Sequence, residues 1–195
     1  MRIIKVILAI GMSLLLSASL VAPASAALWY NPDTNQFEER EATASRGGSP
    51  IKKQIVAYET NQKPGTIVIE TAERRLYLVL ENGQAMKYGI GVGREGFTWA
   101  GTNRITRKAE WPGWTPPPAM RKRVPDLPAY MPGGPDNPLG ARALYIGSTL
   151  YRVHGTSEPW SIGQAVSSGC IRMTNEDVTD LYERVQVGAR IVVNH

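Results

Sequence analysis

The chain has 195 residues, with 22 lysines and arginines against 17 aspartates and glutamates, two histidines and one cysteine. That length is ample for one hydrophobic core, and 20 % charged with 43 % hydrophobic residues excludes both a disordered chain and a multi-span membrane protein. A single cysteine rules out an intrachain disulfide, a multi-cysteine zinc site and an iron–sulfur cluster. Only His154 and the terminal His195 offer imidazole, so neither a metal nor any other cofactor is expected.

Met1 to Lys5 is a short basic region, and Val6 to Leu20 follows as a largely apolar run without a charge. Ala24-Ser25-Ala26 then places small residues where a signal peptidase reads them. Residues 1–26 are therefore expected to be an export signal, with the mature chain starting at Ala27 and working in the periplasm or cell envelope. An uncleaved anchor is the alternative, although the apolar run is short of the roughly 20 residues a span needs. Setting aside Arg2 and Lys5 leaves 20 basic against 17 acidic residues, a net +3. That excess suits work beside an anionic polymer but falls far short of a nucleic-acid stripe. The one dense basic cluster, Arg121-Lys122-Arg123, has no interleaved aromatics and reads as a solvated loop.

Residues 27–63 are polar and read as a flexible leader, with a short strand near Ile55 to Tyr58. The folded domain is expected over 64–195. Thr66 to Thr71 and Arg75 to Leu80 are strand candidates, and Asn82-Gly83 marks a tight primed hairpin. The return strand, Ala85 to Val92, alternates Tyr88, Ile90 and Val92 with Gly89, Gly91 and Gly93, so another element or a ligand can approach its backbone closely. Gly91 to Gly96 also fits the dinucleotide pattern GxGxxG, but no helix start follows it and no acid lies about 20 residues on.

Residues 111–140 hold nine of the 14 prolines, a density that central strands and helices do not tolerate. The stretch reads either as a lid or binding loop, with Trp111, Trp114, Tyr130 and Met131 as its docking area, or as an edge-covering loop. Two strands follow around Gly147-Ser148. Thr174 to Asp177 has the form of a capping box, and Val178, Leu181, Tyr182 and Val185 recur at helical spacing. Gly188 ends that helix and Arg190 to Val193 is a last strand. Many strands, one short helix after the cysteine and no βαβ alternation define a mainly β fold.

The chemistry is expected between His154 and Arg172. Imidazole is the side chain suited to take a thiol proton near neutrality, and 16 residues return the chain easily from His154 to Cys170. Gly169 permits a sharp turn that turns the Gly169 and Cys170 N–H groups toward a developing oxyanion. Arg172 is placed to hold a substrate carboxylate or to lower the thiol pKa. A buried structural cysteine and a satisfied structural histidine are the alternatives for the pair.

His154-Gly155-Thr156, then Gly163, then Ser167-Ser168-Gly169-Cys170-Ile171-Arg172-Met173 resembles the signature of the YkuD-type L,D-transpeptidases, the ErfK/YbiS/YcfS/YnhG family. The resemblance covers roughly residues 64–194, and Asp177 matches an aspartate often found after the motif. Ser168 departs from it, standing where many members carry His or Asn. The resemblance implies a β-rich peptidoglycan enzyme with Cys170 as nucleophile, His154 as base and the Gly155 backbone carbonyl orienting the imidazole. Ser167, Ser168 and Arg172 beside the cysteine, and Trp111 and Tyr130 on the proline-rich loop, are expected to meet substrate, the departure at Ser168 leaving the role of its side chain open. Cleavage would fall between diaminopimelate and D-alanine of a tetrapeptide stem, and transfer to a second diaminopimelate would make a 3→3 crosslink. The alternatives are attachment of an envelope protein to the stem, and a non-catalytic wall-binding module.

Overall fold

In a computed structural model of the chain, residues 26–31, 36–41, 49–95 and 99–195 are described. The expected export segment lies outside them, apart from Ala26, as do residues 32–35, 42–48 and 96–98. Within the expected leader, β1 (Ala26–Asn31) and β2 (Gln36–Glu41) pair antiparallel, where no strands were expected. Trp29, Tyr30 and Phe37 are residues that favour extended backbone. The short strand expected further on is β3 (Gln54–Ala57).

β4 (Ile67–Glu70), β5 (Arg75–Val79) and β6 (Gln84–Gly89) form an antiparallel meander, with β3 on the outer side of β6. The β5–β6 turn has positive φ at Asn82 (58°) and Gly83 (67°), as a primed hairpin requires. A two-residue β7 (Val92–Gly93) follows. β8 (Gly101–Glu110) is the longest strand and was not anticipated. Its sequence is polar on both faces, and Ile105 alone is fully buried, so the alternation that betrays a strand is missing. β9 (Arg142–Ile146), β10 (Arg152–His154), β11 (Ala165–Ser167), β12 (Ile171–Arg172) and β13 (Arg190–Asn194) complete the set.

Nine strands form one sheet in the order β12-β10-β9-β8-β13-β4-β5-β6-β3, with β10–β12 and β13–β4 parallel and the other pairs antiparallel. Reciprocal hydrogen bonds of 2.9 and 2.8 Å between Gly91 and Arg172 join the continuation of β6 to β12, so the sheet closes on itself. The glycine face of β6 serves these approaches. A Cβ on Gly91 would lie 2.9 Å from the Ser161 carbonyl, and one on Gly89 would lie 2.6 Å from Ile51 Cβ.

The core contains Ile67, Ile69, Leu76, Tyr88, Ile105, Leu144, Val153, Ile171 and Met173 with α2 (Asn175–Arg184) packed on it. Thr174 caps that helix, its Oγ1 accepting from the Asp177 N–H at 3.2 Å. Val178 and Leu181 are buried from it, each contributing about 1.5–3 kcal/mol of transfer free energy. The proline-rich stretch contains one further short helix, α1 (Pro118–Arg123). Proline density did not exclude it, because Pro118 stands in the first turn, where no backbone N–H is needed.

Candidate active site

β10 and β12 run parallel with Val153 opposite Ile171 and His154 opposite Arg172. Continuing that register one step back sets Arg152 opposite Cys170. Side chains alternate across a strand, so Val153 and Ile171 enter the core while Arg152, His154, Cys170 and Arg172 share the other face. Parallel pairing thus gathers the thiol, the imidazole and two guanidiniums from positions up to 20 residues apart.

His154 is buried, and its Nδ1 lies 2.5 Å from the Gly155 carbonyl oxygen. A carbonyl only accepts, so Nδ1 carries the proton and the Nε2 lone pair is left for an incoming proton. Burial lowers the imidazole pKa from 6.5 to about 3, helped by the charges of Arg172 and Arg152 and opposed by the bond to Gly155. The ring is neutral at physiological pH.

Cys170 is half-buried. Its thiol donates to the Leu150 carbonyl at 3.9 Å. Burial pushes the thiol pKa up, while the Arg152 charge, hydrogen bonds from the Arg152 backbone and side chain, and the Arg172 charge pull it down. The sulfur is therefore turned toward Leu150 and Arg152, and His154 lies two residues further along the same face.

Three expected roles meet different surroundings. The Gly169 N–H, expected to face an oxyanion, is donated to Ser167 Oγ at 3.2 Å, and Gly169 takes φ 103°, which favours glycine. Ser167, expected to meet substrate, is buried with its hydroxyl donated to the Cys170 carbonyl at 2.6 Å. Arg172, expected to bind a carboxylate, already has one: its guanidinium pairs with Glu158 Oε2 at 2.7 Å. Ser168 is exposed.

Trp111 and Tyr130 are 45 % and 59 % exposed. Their loop is tied internally by reciprocal 2.8 Å bonds between Trp114 and Met131, and by buried Asn137, which donates to the Pro132 carbonyl at 2.8 Å. It meets the site at its exit. Asn175 Oδ1 accepts from the Ala141 N–H at 2.9 Å, and a Cβ on Gly140 would lie 2.6 Å from the Gly155 carbonyl carbon. Sequence reasoning missed Arg152, Glu158 and Asn175. Arg152 had a usable signal, since it stands two residues before His154 on the same strand. Glu158 and Asn175 had none. Among the described residues, no group of three or more His, Cys, Asp or Glu is arranged to hold a metal ion.

A closed β sheet with a cysteine and a histidine on adjacent parallel strands defines a class of thiol-bearing β domains. Residues 64–193 match the YkuD family, the L,D-transpeptidase catalytic domain, and the chain belongs to that family. "Probable L,D-transpeptidase ErfK/SrfK" of Escherichia coli K12 is 41 % identical over 152 residues, covering 73 % of this chain and 47 % of that protein. "Probable L,D-transpeptidase YbiS" of the same strain is 38 % identical over 170 residues, covering 83 % and 53 %. The chain thus spans about half the length of these curated relatives. A solved Brucella melitensis structure, named as a probable carnitine operon oxidoreductase, is 44 % identical with TM-score 0.52 and covers 79 % of this chain and all of that one. L,D-transpeptidase 3 of Mycobacterium tuberculosis, at 17 % identity and TM-score 0.52 over 67 % of this chain and 60 % of that one, shares the fold.

Proposed function

We propose that the protein is an exported peptidoglycan L,D-transpeptidase that forms 3→3 crosslinks. The observation that carries this reading is the parallel register of β10 on β12, with Cys170 and neutral His154 on one face. The Cys170 thiol rotates from Leu150 toward Nε2 of His154, which takes its proton as the sulfur attacks the diaminopimelate carbonyl. The Cys170 N–H is the proposed donor to the tetrahedral oxyanion. Collapse breaks the amide bond, D-alanine leaves with the proton from His154, and a thioester remains. A diaminopimelate amine of a second stem then attacks, His154 takes its proton, and the thiol is restored. One amide is exchanged for another, so the reaction needs no external energy source. Trp111 and Tyr130, exposed on the proline-rich loop, are proposed as a lid surface for the stem.

Export to the envelope fits this substrate, and the basic, apolar and Ala24-Ser25-Ala26 order of the first 26 residues supports it. The purified protein incubated with a disaccharide tetrapeptide should release D-alanine and yield the 3→3 dimer by mass spectrometry. Release of D-alanine without dimer would assign water or another amine as acceptor. No release, with no covalent carbapenem capture, would overturn the enzymatic reading in favour of a wall-binding module.

A further inference from the structure

A thiolate formed in this site needs a cation beside it. His154 is a poor one, because burial and two neighbouring guanidiniums hold its ring neutral. Arg172 is committed, with Glu158 at 2.7 Å and both side chains largely buried. Arg152 is placed differently. The strand register sets it opposite Cys170, and the thiol contact with the Leu150 carbonyl holds the sulfur over the backbone that leads into Arg152. The charge of Arg152 and its backbone and side-chain donors all favour the ionised form of the Cys170 thiol. Its Cζ lies 5.4 Å from the Tyr145 ring centroid on β9, a ring also covered by Arg107 at 3.7 Å, so the side chain leans on an aromatic platform. Arg152 Nε is buried with no hydrogen-bond partner among the described residues. A buried donor without an acceptor is costly, and a developing negative charge beside it removes the cost.

We propose that Arg152 is a catalytic residue, the counter-charge that receives the Cys170 sulfur when its proton leaves. This rests on the reading of Cys170 as the nucleophile. The proton goes to His154 Nε2, the electron pair stays on sulfur, and the guanidinium donates to it. The other charged or titratable groups on this face are His154 on β10, Arg172 on β12 with Glu158 bound to it, and Tyr145 on β9 with Arg107 of β8 over its ring.

Cys170 is the sole cysteine, so alkylation by iodoacetamide reports on it alone. The pH dependence of that rate is to be measured in the parent, Arg152→Gln, Arg152→Met, Arg152→Lys and Arg172→Gln. The midpoint should rise in whichever neutral Arg152 variant folds, by more than in Arg172→Gln, and return toward the parent in Arg152→Lys. A rise of one unit would slow alkylation at pH 7 about tenfold. An unchanged midpoint in a folded neutral variant, or a larger rise in Arg172→Gln, overturns the assignment. Alkylation uses no peptidoglycan, so failure of stem-peptide transfer in the parent would sink the proposed function without deciding the role of Arg152.

Discussion

Ser167 Oγ accepts from the Gly169 N–H at 3.2 Å and donates to the Cys170 carbonyl at 2.6 Å, so one buried hydroxyl clamps both sides of the nucleophile's turn. It fixes where the sulfur starts. Ser167→Ala leaves the buried Gly169 N–H and the half-buried Cys170 carbonyl each short of a partner. The expected loss is on the order of 1–3 kcal/mol in denaturant unfolding. Carbapenem acylation should slow as well, because the turn that presents Cys170 loosens. Wild-type acylation with wild-type stability would show that the clamp holds nothing.

The neutral state of His154 makes a prediction about pH. Its folded pKa, about 3, lies below the unfolded value near 6.5. As pH falls below 6.5 the unfolded chain takes up a proton that the folded chain refuses, so stability is lost on acidification at about 1.4 kcal/mol per unit. Between pH 7 and 5 the parent should lose about 2 kcal/mol more than His154→Gln, which has no proton to take up. Parallel stability curves for the two proteins over that range would contradict the burial assigned to the ring.

Much of this was legible in the sequence because the signals are local. Asn82-Gly83 marked its own turn, Thr174 to Val185 carried a cap and a helical period, and the Cys170 motif stood beside the sole internal histidine. β8 was illegible because a strand paired on both edges yet polar on both faces has no alternation to read. The partners of the site were hidden for another reason. Glu158 binds Arg172, and Asn175 binds Ala141 across 34 residues, through contacts that exist only once the sheet has closed.

Asn175 accordingly acts as a hinge pin between the proline-rich loop and the catalytic segment. Its Oδ1 accepts from Ala141, and Cβ atoms on Gly140 or Gly155 would collide with it. Asn175→Ala should cost about 1–3 kcal/mol and speed amide exchange at Ala141 and Arg142. Asn175→Asp keeps the acceptor oxygen and should restore protection. Unaltered exchange in the alanine variant would mean that the loop exit is held by packing alone.

The assignment of roles is tested by comparing three variants at equal folded fraction. Cys170→Ala should abolish D-alanine release and carbapenem capture while the fold persists, since it removes the only thiol and alters little volume. His154→Ala should lower turnover by about 10²–10⁴, the usual worth of a general base, with slow capture retained by the fraction of thiol that ionises unaided. Asp177 offers the contrast. Its backbone N–H is bound by Thr174, its carboxyl is buried with Oδ2 unpartnered among the described residues, and the groups that act on it are Thr174, Lys53, Glu176 and Asp180. None of these belongs to the Cys170 face. Burial raises the Asp177 pKa, so its ionised form weakens the fold as pH climbs above about 3.8. Asp177→Asn should therefore alter the pH dependence of unfolding and leave the acylation rate near the parent's. A larger rate loss in Asp177→Asn than in His154→Ala would place the base on α2 instead of β10.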